Sequence, residues 1–256
     1  MRRSTPPPAL AMALVAATAI TTAAADEPAF TAEFPIASCV FNTLGGNPYF
    51  KLVPGRQLYL TNERCVADGQ CEEFKELRVT VLNETRRIPI EVNGQLRTIK
   101  ARVVEEYETE DGEPVELSRN FYADCAPGAD VYYFGEDVWD GDGNPSPDAW
   151  LAGQNGNRPG VIMPGGAFLL GSRYFQEIAP GIALDRAEHA AAGVLIDTPA
   201  GVFENCVEIT ETTPLEPGSE SHKAYCPGIG MVQDGSLELK AIRRGQRGHA
   251  IPGGDD

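Results

Sequence analysis

The feature that most constrains this chain is a period of two. Apolar residues recur at alternate positions: Leu77, Val79 and Val81; Ile99, Ala101 and Val103; Val115 and Leu117; Val207 and Ile209; Leu237 and Leu239. Mostly polar or charged residues stand between them. Successive side chains of a strand point to opposite faces, so the pattern describes strands with one buried and one wet face, the habit of antiparallel sheets. Helical spacing is nearly absent. Turn dipeptides punctuate the pattern at hairpin distance: Asn93-Gly94, Asp111-Gly112, Pro127-Gly128, Pro217-Gly218 and Asp234-Gly235. Asn-Gly is the strongest of these, because both residues tolerate the positive φ of a two-residue hairpin turn. The expectation is a mainly β fold, a strongly curved antiparallel sheet or open barrel. Residues 74–136 form one meander and residues 171–242 a second set of strands.

Between the two sets, residues 140–167 are rich in Gly, Pro and Asn and read as a crossover loop within a single domain spanning 26–243. Structureless loops of this length are usually functional or flexible. No period recurs strongly enough for a propeller or solenoid. Residues 244–256 are Gly-rich, lack apolar spacing and read as a disordered tail.

The N-terminus reads as a secretory signal peptide over 1–25. Arg2 and Arg3 precede the apolar run ALAMALVAATAITTAAA, and Ala23 and Ala25 satisfy the small-residue cleavage rule ahead of Asp26. The remaining chain is expected to be secreted or periplasmic, with no stable membrane insertion. Removing the two arginines takes the net charge from −16 to −18. Such a surface repels phosphate backbones, which excludes nucleic acid as a partner.

All six cysteines follow the signal, and an even number in an oxidising compartment predicts disulfides. RCVADGQC brings Cys65 and Cys71 together over a short turn. Cys206 and Cys226 are equidistant from Glu216 in the PLEPG turn, so a hairpin centred there sets them opposite each other. Elimination leaves Cys39 with Cys125. Zinc ligation by thiolates has no C-x-x-C pair to support it.

Residues 199–232, PAGVFENCVEITETTPLEPGSESHKAYCPGIGMV, resemble a pattern of uncharacterised exported bacterial β-rich proteins. NPYFKLVPG, VVEEYETEDGEPVELSRNFYA, DVYYFGEDV, NRPGVIMPG and PGIALDRAE extend that resemblance over most of the chain. The terminal pattern is also similar to curved antiparallel sheets of periplasmic lipoprotein-like and lipid-carrier-like proteins. The resemblance implies fold and compartment and assigns no catalytic residue. Tyr225-Cys226 departs from its usual Tyr-Ala, consistent with a cysteine added for a disulfide.

Candidate sites are few. WDGDGNPSPDAW places Asp140, Asp142, Asn144 and Asp148 at positions one, three, five and nine of a calcium loop. Pro145 and Leu151 then stand where an EF-hand needs its turn glycine and closing glutamate. A looser calcium site would draw on Asp137, Asp140, Asp142 and Asn144; no other cofactor is expected. The competing reading is a loop that uses these residues for turn geometry. His189, in DRAEH, reads as a surface residue, with Asp185 too far along the strand to orient it. His222-x-x-x-Cys226 with Met231 fails as a soft-metal site if Cys226 is oxidised. Neighbouring acids such as Glu72-Glu73, Glu105-Glu106 and Glu136-Asp137 read as solvated edges, because adjacent strand residues face opposite ways. Trp139 and Trp150 either stack on sugars or anchor the loop. The chain therefore reads as a non-catalytic exported protein, either a small-ligand or lipid-type binding module or an accessory to envelope proteins. A concave apolar face would hold the ligand. The alternatives are a carboxylate-dependent hydrolase and a calcium-dependent surface protein.

Overall fold

A computed structural model describes residues 29–244 and 247–250, so the expected signal peptide and most of the tail lie outside the described residues. The chain is a fifteen-stranded antiparallel sheet. After β1 (Val40–Asn42) and β2 (Arg56–Thr61) comes a short helix, α1 (Glu63–Ala67). Four long strands follow: β3 (Lys75–Val92), β4 (Gln95–Glu110), β5 (Glu113–Ala126) and β6 (Asp130–Asp140). They are the expected meander, and its two-residue turns carry positive φ at both residues, 53° and 75° at Asn93-Gly94 and 49° and 88° at Asp111-Gly112. These are the mirror-image turns whose twist suits a hairpin, which is why Asn-Gly and Asp-Gly stand there.

The segment expected as a crossover loop instead contributes strands, β7 (Trp150–Leu151) and β8 (Arg158–Met163), both paired to β6. Strands this short, interrupted by turns, leave too few residues for alternation to register. Two brief strands, β9 (Arg173–Phe175) and β10 (Glu177–Ile178), lead into the second half. That half comprises β11 (Arg186–Thr198), β12 (Gly201–Thr212), β13 (Glu220–Cys226), β14 (Gly230–Asp234) and β15 (Leu237–Arg244). The spatial order runs β10-β8-β6-β5-β4-β3-β2-β15-β14-β13-β12-β11-β9, with β1 beside β5 and β7 beside β6.

The two edge strands of that order, β10 and β9, are consecutive in the chain and separated only by Gln176. The sheet is not closed by ladder hydrogen bonds, yet its edges are brought together by the chain itself. Gly160 in β8 makes this approach possible: a Cβ there would lie 2.4–2.5 Å from backbone atoms of Phe175 and Gln176. Register shifts in β3 and three in β11 supply the bends that curl so wide a sheet.

The middle strands β4, β5 and β6 are buried on both faces. One face meets the N-terminal segment, where Phe41 stands edge-on to Tyr132 and Phe134. The other looks into the interior of the curl. Disulfides join Cys39 to Cys125, Cys65 to Cys71 and Cys206 to Cys226. The last follows from the expected register: Thr212 faces Glu220 and Val207 faces Tyr225, a ladder centred on Glu216. Among the described residues no helix is long and apolar enough to cross a membrane.

Candidate functional site

The interior of the curl holds a cavity of about 230 Å³, lined from β2 through β6 on one side and β12 to β14 on the other. It shares Glu116, Glu136, Ala183, Asp185 and Glu211 with a more open compartment of about 430 Å³, which forms its mouth. Aromatic rings make one wall. Phe50 packs on Tyr122 at 4.9 Å, Tyr122 on Tyr133 at 4.8 Å and Tyr133 on Trp150 at 5.1 Å between ring centroids. The Tyr133 hydroxyl donates to Asn120 Oδ1 at 2.5 Å, and Asn120 Nδ2 donates to Ser118 Oγ at 3.0 Å. Leu58, Val79, Val81 and Val104 complete the apolar part.

The concave face was expected to be apolar, but it is strongly acidic. Glu106 from β4, Glu116 and Glu136 from β5 and β6, Glu177 from β10, Asp185 and Glu211 all line it. Alternation explains the inward row on β4, where Val104 and Glu106 face the cavity while Glu105 faces the other way. The reading of these acids as solvated edges therefore fails at Glu105-Glu106 and at Glu136. Glu105 is fully buried, and Glu106 and Glu136 are half-buried against the cavity. Glu106 retains accessible surface, but that surface is the cavity wall.

Burial is the main cause of what happens to these groups. It pushes the Glu106 carboxyl up to about 8, with Glu108, Asp234 and Glu136 adding repulsion and Lys223 opposing it. Glu136 rises to about 7 for the same reason, although the Tyr133 hydroxyl favours its charged form. The Trp150 indole N–H faces Glu136 without reaching full hydrogen-bond geometry and has no other partner. Glu177, 3% exposed, is held well above the ordinary carboxyl range by burial and by Asp185. Its Oε1 accepts the Asp185 amide at 2.6 Å.

Lys223 lines the cavity close to this group. Burial opposes its charge, but Glu211 at 2.9 Å and Asp234 at 3.7 Å more than offset that and hold it well above the ordinary lysine value. The other lining cations are tied to carbonyls: Lys51 Nζ donates to Asn47 O at 2.7 Å, and Arg56 to Ile229 O at 2.6 Å. Gln176, at the seam, donates from Nε2 to Glu211 at 2.7 Å.

The residues singled out from sequence fall elsewhere. Asp140 and Asn144 come together, but as a turn: Asp140 Oδ1 accepts the amides of Asp142 and Asn144 at 3.1 and 2.8 Å, and the Asn144 side chain donates to both oxygens. These hydrogen bonds, chiefly from Asn144, lower the Asp140 pKa. Asp137 turns to Arg86, 3.7 Å away. Among the described residues no group of three or more His, Cys, Asp or Glu is placed to hold a metal ion.

His189 is buried rather than on the surface. Its ring stacks on Phe168 at 3.6 Å, its Nδ1 lies 3.0 Å from Leu169 O and its Nε2 lies 3.2 Å from the Tyr174 hydroxyl. Asp185 serves the cavity instead. Cys226 is oxidised, and His222 is exposed beside Glu220. Trp150 is buried against Tyr133, and Trp139 lies under the Arg119 guanidinium. His249 stacks on Tyr107 at 4.0 Å and meets Glu105 Oε1 through Nδ1 at 2.9 Å, so this part of the tail lies against β4.

One signal for the cavity was present in the sequence. In VVEEYETE the alternation of apolar and polar residues stops while the strand continues, placing acids on both faces. No family model, curated protein or solved structure matches the chain.

Proposed function

We propose that this is an exported small-ligand-binding protein whose site is the interior cavity of the curled sheet. The observation that carries this reading is the cavity itself, enclosed by strands from both halves and joined to a wider mouth. Concave sites of this kind, part apolar with a few placed polar groups, are the usual form of small-molecule pockets. Three disulfides and the signal-like N-terminus support an oxidising, extracytoplasmic location. Native mass spectrometry of protein isolated from its own compartment tests the reading. The expected result is a retained small-molecule mass that Ser118→Trp, which fills the cavity, abolishes. A ligand-free wild-type mass, with no small molecule stabilising the fold, would count against it.

A second reading, carboxylate-dependent hydrolysis, draws support from one observation. Glu136, raised to about 7, lies among other carboxyl groups at the junction of cavity and mouth, beside Trp150. A protonated acid facing an ionised neighbour is the pairing that glycoside hydrolysis uses. Turnover of aryl glycosides or esters, lost in Glu136→Gln, would establish it in place of simple binding.

A further inference from the structure

Resting on the reading of the cavity as a ligand site, we infer that its ligand is a small organic cation, an aliphatic amine whose ammonium group sits among Glu106, Glu136 and Glu177 and whose carbon chain lies on the tyrosine wall. Charge balance is the first argument. Six carboxyl groups line the cavity against three cations, of which Lys223 is already held by Glu211 and Asp234. Lys51 and Arg56 direct hydrogen bonds to backbone carbonyls.

Unused hydrogen-bonding capacity is the second and independent argument. Glu177 is 3% exposed and lines the cavity, yet only its Oε1 is engaged, by the Asp185 amide. Among the described residues Glu177 Oε2 accepts no hydrogen bond, nor does the half-buried Glu106 carboxyl. Unpaired buried polar groups cost stability, so they are rare unless something completes them. An ammonium group brings three donors and a positive charge to acceptors whose hydrogen-bonding capacity is only partly used.

The shape favours an organic cation over a metal ion. The carboxyl groups are spread around the wall, and among the described residues they do not converge as metal ligands do. Phe50, Tyr122, Tyr133 and Tyr225 offer ring faces, which attract an ammonium, and Val79, Val81 and Val104 offer surface for methylene groups. The acidic mouth, with Asp148 and Glu216 added, and the net charge of −16 draw a cation inward.

Binding should also release protons. In the free protein, Glu106 faces Lys223, Glu108, Asp234 and Glu136, while Glu136 faces Glu116, Asp185, Glu177 and the hydroxyl of Tyr133. Near neutral pH Glu106 is mostly protonated and Glu136 is partly so, and an entering ammonium favours their ionised forms.

Isothermal titration calorimetry with 1,4-diaminobutane, butylamine, 1,4-butanediol and succinate provides the test. Run at pH 7 in phosphate and in MOPS, neither of which is a primary amine, it also counts protons. The expected result is binding of the amines but not of the diol or succinate, with a buffer-dependent heat that reports proton release. Glu106→Gln and Glu136→Gln should each weaken amine binding about tenfold or more. Amine binding without proton release would overturn the place given to Glu106 and Glu136. Equal binding of the diol would overturn the cationic class while leaving the cavity as a ligand site. No binding of any probe, together with a ligand-free native mass, would overturn both readings.

Discussion

At the scale of single residues, the decisive fact is that charge is placed where solvent is not. A carboxyl pushed from an ordinary 4.5 to about 8 is protonated in the folded chain near neutrality and ionised in the unfolded one. The folded state then binds more protons, so the stability contributed by Glu106 is fully present below about pH 4.5 and is lost as pH rises toward 8. Each unit of such a shift corresponds to about 1.4 kcal/mol. Glu106→Gln, which keeps the shape and removes the charge, should raise the unfolding midpoint at pH 8 by several degrees and change it little at pH 5, as read by circular dichroism. Lys223→Met has the opposite sense. It leaves Glu211 and Asp234 facing each other without a cation, and denaturant unfolding at pH 7 should show a loss of about 3–5 kcal/mol. His189 is held below the ordinary value of 6.5, burial being the cause, with the Leu169 carbonyl opposing it. Its NMR titration midpoint should therefore fall below 6.5.

At the scale of elements, the disulfides differ in what they hold. Cys39–Cys125 spans 86 residues and ties the N-terminal segment to the end of β5, beside which β1 pairs. Cys65–Cys71 spans 6 residues over one turn. Loop-closure entropy predicts that replacing the first pair with alanines costs about 4.5 kcal/mol and the second about 2 kcal/mol, measured by urea unfolding. The meander was legible because its turns and strands agree: Asn93-Gly94 and Asp111-Gly112 separate runs long enough for alternation to show. β7 and β8 were not legible, since Gly, Pro and Asn dominate residues 140–167 and hide two strands that depend on β6 for their pairing. The loop around Asp140 has the composition of a calcium loop, but its oxygens satisfy their own backbone amides. Composition alone does not separate these two uses of aspartate.

At the scale of the whole molecule, the chain curls until its first and last edge strands meet across a single residue, Gln176. The cavity exists only because of that curl, and its acids come from strands far apart in sequence, from Glu106 to Glu211. Stability should therefore be highest in mild acid and fall from about pH 5 to about pH 8, because Glu106, Glu136 and Glu177 all carry raised values with the same sign. His189 works against this at the acid end, where the unfolded chain protonates it more readily. A thermal-melt series across pH checks the trend. An amine that occupies the cavity should flatten it, raising the midpoint most at pH 8.

The sequence by itself determined the local matters: strand against helix, the positions of the tight turns, and the three cysteine pairs. Strands and turns depend on side-chain alternation and positive φ, two of the cysteine pairs on closeness about one turn, and Cys39–Cys125 followed by elimination once those local pairs were placed. Only the tertiary structure decided which acids are buried. A strand's two faces are distinguished from within the chain only by polarity, and VVEEYETE is polar on both. What covers each face was set by remote elements, His249 over Glu105 on one side and the second half of the sheet over Glu106 on the other. A local pattern carries no record of such distant cover, and that is why the candidate site emerged from the curl of the sheet rather than from a motif.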